Sequence, residues 1–369
     1  MDKYFRQIYK DRKVLITGHT GFKGGWLSLW LTELGAKVIG YSLKPPTTPN
    51  LFEAINLKSK IVHIIGDIRD ETHLTTVFKE YQPEFAFHMA AQPLVRFSYK
   101  EPKLTYETNI MGTINLLEAV RKTEGMKVCI IITSDKCYEN KEWVYGYREI
   151  DPMGGYDPYS SSKGCAELIT SSYRNSFFNP KDYGKIHHLA LSSVRAGNVI
   201  GGGDWGEDRL TPDCVKALSQ NKAILIRNPL SIRPWQYVLE PLSGYLLLGA
   251  LMYENGTKYS SGWNFGPNDE SIITVEKLVK LVIKYWGGGD YVVDTSNHTQ
   301  THEACLLKLD ISKSRTLLGW KPIYNIYEAV EKTINWYKGF YTGKKTKGKM
   351  SELTVEEIWK YINHMNKSN

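Results

Sequence analysis

Three short stretches of the chain carry residue types whose spacing could do chemistry. In Tyr159-Ser160-Ser161-Ser162-Lys163, after Pro158, a phenol and an ammonium stand one helical turn apart on one face. The cation is expected to stabilise a tyrosinate and draw the phenol down from its ordinary value near about 10. A tyrosinate so placed takes the proton of an alcohol while a hydride leaves the same carbon. Upstream, Thr17-Gly18-His19-Thr20-Gly21-Phe22-Lys23-Gly24 follows an apolar run and opens a helical one. Gly18 permits a tight turn, Gly21 a close approach to a pyrophosphate, and Gly24 the packing of helix on strand. The helix N-terminus adds free N–H groups and the positive end of its dipole. The third stretch, Ser134-Asp135-Lys136, puts a hydroxyl, a carboxyl and an amine in a row. It follows the apolar Val128–Ile132, at the strand end where open α/β sheets bind ligands.

The elements that must position these groups alternate. Val14–Ile16, Lys37–Tyr41, Ile61–Ile65, Phe85–Met89, Val128–Ile132 and Leu189–Val194 read as strands. Between them lie a helix through Trp26, Leu29, Trp30 and Leu34 stopped by Gly35, then helices over Glu71–Lys79, Thr105–Arg121 and Tyr159–Tyr173. This alternation predicts an α/β fold, a doubly wound parallel sheet with helices on both faces. Past Gly201, Gly, Pro and Trp become frequent and elements shorten to Thr211–Ser219, Ala223–Ile226 and Pro241–Met252. We therefore expect residues 1–200 to form mainly a dinucleotide-binding domain and 201–369 mainly a smaller, mixed substrate-binding lobe, partly returning to the main sheet. The second strand ends Gly40-Tyr41-Ser42-Leu43-Lys44, without the acid that holds the ribose of NAD in such folds. Ser42 could hydrogen-bond the ribose, or Lys44 attract a 2′-phosphate; NAD, loosely held, is the expected cofactor.

Composition excludes several classes. With 369 residues, 42% hydrophobic and 23% charged, the chain is neither disordered nor fibrous, and it is long enough for two lobes. A net charge of 47 − 39 = +8 suits an anionic small molecule and does not indicate nucleic acid or a membrane surface. The five cysteines stand far apart, which argues against a zinc cage or a disulfide framework and for a reducing compartment. No apolar stretch has the length of a signal peptide or membrane span, so a cytoplasmic protein is expected. His187-His188 reads as structural, since no third metal ligand is visible. Lys344, Lys345, Lys347 and Lys349 read as a solvated loop between two helical patterns.

The glycine loop, Ser134 and Tyr159…Lys163 resemble the extended short-chain dehydrogenase/reductase superfamily. The phrases GHTGFKGGWLSLWL, SDKCYENKEWVYGYRE, DPMGGYDPYSSSKGCAE, SVRAGNVIGGGDW, RPWQYVLEPLSGYL and HEACLLKLDISKSRTLLGW are similar to those of the CDP-glucose 4,6-dehydratases. The resemblance implies a Rossmann-type fold, NAD, CDP-glucose as substrate and an internal redox cycle feeding deoxysugar synthesis for surface polysaccharide. In that cycle Tyr159 deprotonates the 4-hydroxyl, Ser134 bonds the 4-oxygen, and Asp135 protonates the departing 6-hydroxyl. The related dTDP-glucose enzymes carry Asp-Glu where this chain has Asp135-Lys136. Lys136 then removes the C5 proton itself, which needs it neutral in a dry surrounding or beside a cation such as Lys163. Alternatively it stays charged and stabilises the enolate.

Further positions follow from the resemblance. Gly18, Thr20, Gly21, Phe22, Lys23, Gly24, Ser42, Asp67, Ile68, Ala90, Ala91, Gln92 and Asn109 join Tyr159 and Lys163 around the cofactor. Asn198 contacts the pyrophosphate beside Arg195; Arg233 offers a planar fork to the diphosphate. Arg209 does likewise or forms a surface ion pair. His302 and Glu303 contact base or ribose or form a capping pair. Trp143, Tyr145 and Tyr147 wall the sugar pocket or pack a lid. The relatives associate through two helices per subunit, here Thr105–Arg121 and Tyr159–Tyr173, so a homodimer or homotetramer is expected. A nucleotide-sugar 4-epimerase or reductase shares Tyr159 and Lys163 but does not need an acid at 135. A non-catalytic dinucleotide-binding scaffold needs none of these groups.

Overall fold

Val128–Ile132 is buried at every residue, as a strand covered on both faces must be. Its odd and even positions serve different layers. Val128, Ile130 and Ile132 join one apolar cluster with Val14, Ile16 and Trp26, while Cys129 and Ile131 join another with Leu15, Ile39 and Leu116. The computed structural model describes residues 2–294, 306–342 and 347–368. In it, seven strands form one parallel sheet: β1 Lys13–Thr17, β2 Lys37–Ser42, β3 Val62–Ile65, β4 Phe85–His88, β5 Val128–Ile132, β6 Ala190–Arg195 and β7 Gly262–Asn264. Their order is β7-β6-β5-β4-β1-β2-β3. The direction of winding reverses between β1 and β4, so the crevice beyond their carboxyl ends is the ligand position of such a sheet.

The chain after Gly201 returns to this sheet through β7, which pairs with β6 from Gly262↔Ser193 to Asn264↔Arg195. The first apolar cluster accordingly runs from Phe5 to Met365 and holds residues of both halves. The helix Phe22–Glu33 is apolar nearly all round, because it lies inside this cluster. Its Trp26 indole donates to Gly202 O at 2.9 Å, and Trp30 meets Tyr361 edge-on at 5.8 Å. Each such fully buried side chain contributes roughly 1.5–3 kcal/mol of transfer free energy. Gly35, at φ +86°, ends the segment in the left-handed region open to glycine.

One element is new and two expectations need correction. A helix, Asp2–Tyr9, precedes β1; Phe5 and Tyr9 are fully buried, and the Tyr9 hydroxyl donates to Leu246 O at 2.7 Å. The helix expected over Thr105–Arg121 begins at Pro102 and changes pitch: Glu107–Met111 is a π-turn between α-helical Pro102–Tyr106 and Gly112–Arg121. In the basic tail, Lys347 and Lys349 are helical, at the start of Lys347–Ser368, while Lys344 and Lys345 lie outside the described residues. Among the described residues no helix is long and apolar enough to cross a membrane.

Candidate active site

The glycine loop is shaped by contacts that leave no room for a Cβ. One added to Gly18, at φ +77°, would stand 2.7 Å from Ala90 N; one on Gly24 would stand 2.2 Å from Gly18 O. Thr17 Oγ1 accepts the N–H groups of Met89 and Ala90, both at 3.1 Å, tying the loop to the end of β4. Gly21 caps the helix Phe22–Glu33 without a side-chain bond, so the first N–H groups are open to an anion. Thr20 Oγ1 lies 2.8 Å from Ser42 Oγ and donates to Leu43 O at 3.0 Å, fixing the end of β2 against the loop. Loss of water, then the Arg209 charge, lowers the Lys23 ammonium to about 8 despite the opposing charges of Asp135 and Asp204. A glycine cradle, an uncapped helix end and a half-buried cation are the fittings a dinucleotide pyrophosphate requires.

The catalytic candidates gather beyond β5. Ser134 is extended, at φ −160° and ψ 159°, and the chain then turns through a single 3₁₀ turn, Asp135–Cys137. Ser134 Oγ donates to Asp135 Oδ1 at 2.8 Å and accepts Lys136 N–H at 3.3 Å. Asp135 is only 4% exposed. Its carboxyl is seated against Gly197, where a Cβ would lie 2.0 Å from Oδ2. Lys136 is half-buried beside it.

Opposite them, Asp157 caps the helix Pro158–Ser176 by accepting Ser160 N–H at 2.9 Å and the Ser160 hydroxyl at 2.6 Å. Tyr159 and Lys163 follow on the buried face. Tyr159 N–H donates to Ser98 Oγ at 3.2 Å, and its phenol lies near Ser134, which acts to lower it. The expected lowering of the phenol is not found. Burial dominates and lifts Tyr159 to about 12, against the opposing Ser134 hydrogen bond. Lys163 is itself lowered to about 8, by burial first and then by Lys23, and its Nζ reaches Ile132 O at 3.4 Å. Helical spacing puts both groups on the buried face, where loss of water is the largest effect on each, and the charges that act on Tyr159 are those of Asp135, Arg209 and Asp157.

Other expected contacts divide. Asn109, in the π-turn, accepts Gln92 N–H at 2.8 Å and donates to Gln92 O at 3.1 Å and Ser162 Oγ at 2.8 Å. It joins the half-buried Ala90-Ala91-Gln92 to the Tyr159 helix. The Asp67 carboxylate is gripped by Arg69, with Nη2 at 2.6 Å, and Ile68 is a core residue against Gly112. Arg209 Nη1 lies 2.8 Å from Asp204 Oδ2 and its charge acts on Tyr159. Asn198 is left-handed, at φ +51°, its carbonyl accepting Gln236 N–H at 3.1 Å. Arg233 sits half-buried on the short strand Ile232–Pro234, with Nη1 on Ile232 O at 3.0 Å. His302 and Glu303 fall outside the described residues. Tyr147 is buried and stacks on Tyr138 at 5.2 Å and Trp143 at 5.4 Å, while Tyr145 is exposed.

Arg195 is the clear correction. It ends β6 instead of following it, and its guanidinium is held inside by Glu167 at 2.8 Å and by the Tyr138 hydroxyl. With that fork filled by an internal carboxylate, Arg195 has no free face for a phosphate. Two residues of the site escaped the sequence reading. Gly197 gives no signal except its place between two candidates. Asp204 follows the run Gly201-Gly202-Gly203, whose only sequence signal is a change in composition.

Residues 15–333 match the profile of the GDP-mannose 4,6 dehydratase family. The chain belongs to this family. It is 54% identical over 340 residues to the CDP-glucose 4,6-dehydratase of Salmonella typhimurium, covering 92% of this chain and 94% of that one. A dTDP-glucose 4,6-dehydratase of Xanthomonas campestris pv. campestris is 25% identical over 346 residues, covering 88% and 92%. Among solved structures, UDP-glucose 4-epimerase of Thermotoga maritima superposes with a TM-score of 0.75 at 24% identity, over 89% of this chain and 99% of that one. The NAD complex of Bacillus anthracis dTDP-glucose 4,6-dehydratase gives 0.71 at 22% identity, over 89% and 96%. Those structural likenesses establish the fold, a Rossmann-type α/β sheet.

Proposed function

We propose that the protein dehydrates CDP-glucose to CDP-4-dehydro-6-deoxyglucose and water with NAD as a resident cofactor. The carrying observation is Asp135, a buried acid hydrogen-bonded to Ser134 beside Tyr159, in a chain 54% identical to a CDP-glucose 4,6-dehydratase. A 4-epimerase has no step that uses such an acid.

Bound NAD supplies the hydride acceptor and donor of the cycle. The glycine loop and Lys23 hold its pyrophosphate, Ser42 and Asp67-Ile68 its adenosine end, and Ala90-Ala91-Gln92 with Asn109 its path toward Tyr159. Tyr159 takes the proton of the 4-hydroxyl while Ser134 bonds the 4-oxygen. Oxidation at C4 acidifies the C5–H bond, and Lys136 removes that proton. Asp135 gives a proton to the 6-hydroxyl, which leaves as water. Lys136 then returns its proton to C5 as C6 is reduced. Asn198, Arg209 and Arg233, with His302 and Glu303, hold the nucleoside diphosphate. The enzyme acts in the cytoplasm as a homodimer or homotetramer through Pro102–Arg121 and Pro158–Ser176, where Met111 and Leu168 stand exposed. Its product supplies deoxysugars for surface polysaccharide.

The test is turnover of CDP-, dTDP-, GDP- and UDP-glucose side by side with added NAD, read by the alkali-induced absorbance of a 4-keto-6-deoxy sugar. The CDP-sugar is expected to react fastest. Formation of CDP-galactose would assign an epimerase instead, and no product a scaffold.

A further inference from the structure

One charged cluster lies outside the groups that handle the sugar. Asp208 stands next to Arg209, an arm assigned above to the diphosphate, just before the helix Leu210–Ser219. Its backbone is left-handed, at φ +56°, a conformation few residues other than glycine adopt. Two guanidiniums share one of its oxygens: Arg96 Nη1 donates to Oδ1 at 3.1 Å and Arg227 Nη1 at 3.3 Å. The three residues come from distant places. Arg96 lies on the helix Val95–Lys100 that follows β4, and Arg227 directly follows the short strand Ile224–Ile226. Among the described residues no hydrogen bond reaches Oδ2 of Asp208, nor Nε or Nη2 of Arg227. Side-chain exposures of 38%, 41% and 48% for Arg96, Asp208 and Arg227 leave the cluster open to a ligand. Ion pairs so exposed add little to folding, so stability does not explain why these three gather.

The base of a nucleotide stands one ribose away from its diphosphate, so groups beside a diphosphate arm are within its reach. The hydrogen-bonding edge of cytosine presents an amino group, N4–H₂, next to two acceptors, N3 and O2. Uracil and thymine present an acceptor, O4, next to a donor, N3–H. A carboxylate only accepts and a guanidinium only donates. Side by side, the two complement cytosine: the carboxylate takes N4–H, and the planar fork donates to N3 and O2. Against uracil the carboxylate would face O4 and the fork would face N3–H, so both contacts turn repulsive.

We propose that Asp208 and Arg227 read the substrate's base, selecting cytosine over uracil and thymine through Oδ2 of the carboxylate and the remaining N–H groups of the guanidinium. The inference rests on the dehydratase reading above and names the residues that set its nucleotide preference. Arg96 is the positioning residue: its bond to Oδ1 holds the carboxylate so that Oδ2 is the oxygen left for the base. Arg227 is turned by the same oxygen, which fixes Nη1 and leaves the rest of its fork to the ring. A base contact of this kind discriminates by about 10- to 100-fold.

The test measures binding rather than turnover. The NAD-loaded protein is titrated in a calorimeter with CDP and with UDP, which carry base and diphosphate but no sugar to react. The expected result is CDP bound at least about 10-fold more tightly than UDP. In Asp208→Asn the amide oxygen stays on the two arginines and the amide nitrogen takes the place of Oδ2. That nitrogen donates to uracil O4 and opposes the cytosine amino group, so the CDP-to-UDP ratio should fall by about 10-fold or more. Arg227→Gln, whose amide offers an acceptor as well as a donor, should lower the ratio too. Equal binding of CDP and UDP by the wild type, or binding of neither, overturns the assignment, and so does an unchanged ratio in Asp208→Asn. If Asp208→Asn does not fold, Arg227→Gln decides by the same ratio. Turnover separates the two readings: a wild type that prefers CDP but forms no 4-keto-6-deoxy product from CDP-glucose refutes the dehydratase and leaves the base contacts standing.

Discussion

Replacing Gly197 by alanine tests whether the seat of Asp135 sets the elimination step. The new Cβ would lie 2.0 Å from Asp135 Oδ2 and 2.2 Å from its Cγ. Carbon atoms rest at about 3.5 Å or more, so one side must yield by more than ~1 Å. The backbone of Gly197 is the stiffer side. Its carbonyl accepts Gln236 Nε2 at 3.0 Å, and the Asn198 carbonyl accepts Gln236 N–H at 3.1 Å, with Gln236 buried. The carboxyl therefore swings away and loses its 2.8 Å bond to Ser134. A displacement near 1 Å at a reacting group lowers the rate by about 10²-fold, and overpacking of this kind destabilises by about 1–3 kcal/mol. Product formation, read by alkali-induced absorbance, should fall by about that factor. Appearance of reduced dinucleotide in a single turnover should fall much less, because Asp135 acts after C4 is oxidised. Gly266→Ala is the control: its Cβ would meet nothing closer than 3.4 Å, and it should turn over as the wild type does. A folded Gly197→Ala enzyme with wild-type product formation would refute the reasoning.

Further outcomes follow from the same geometry. Lys136→Met should accumulate reduced dinucleotide while forming no 4-keto-6-deoxy product; normal turnover would remove Lys136 from the mechanism. Glu167→Gln breaks the buried pair with Arg195 and should cost about 3–5 kcal/mol in denaturant unfolding. Loss below 1 kcal/mol would show the pair to be dispensable. Burial raises the Glu240 carboxyl from 4.5 to about 7, so the folded protein keeps a proton that the unfolded chain has released. Its favourable contribution is complete below about pH 4.5 and is lost as pH rises through 7, by about 3 kcal/mol at 1.4 kcal/mol per tenfold. Thermal midpoints should therefore fall between pH 5 and 8, and Glu240→Gln should flatten that fall.

The parts of the molecule that sequence made legible are those governed by local rules. Val128–Ile132 reads as a buried parallel strand because five apolar residues in a row have no other use, and the strand has those bounds. The turn of the glycine loop is legible because Gly18 takes a left-handed φ of +77° and Gly24 packs on Gly18 O, both local to the turn. What stayed hidden depends on distant residues or on water. Asn109 sits in a π-turn whose extra residue leaves no mark in the apolar period of its helix. Gly197 matters only because a carboxyl 62 positions earlier comes to rest on it. The phenol of Tyr159 departs from its expected lowering because spacing reports an ammonium one turn away but not the loss of solvent around both groups.

Arg195 shows how such a misreading can point to the working parts. A conspicuous arginine at a strand end suggests a phosphate ligand, yet it belongs to a clamp. Glu167, one turn beyond Lys163 on the same helix, accepts the Arg195 guanidinium, the Ser193 hydroxyl at 2.6 Å and the Thr133 hydroxyl. Arg195 and Ser193 lie on β6, and Thr133 directly follows β5 and precedes Ser134. One carboxylate therefore fastens three segments: the helix that carries Tyr159, the strand end that carries Ser134 and Asp135, and the strand that delivers Gly197 onto Asp135. Burial raises Glu167, but the Arg195 charge and these hydrogen bonds outweigh it and keep the group lowered, so the clamp stays ionised. Distances between phenol, hydroxyl and carboxyl are then set by an ion pair that the substrate does not touch. Three segments fastened by one carboxylate keep the phenol, the hydroxyl and the carboxyl in fixed relation, which is a reason to bury a charge pair where an apolar one would pack as well.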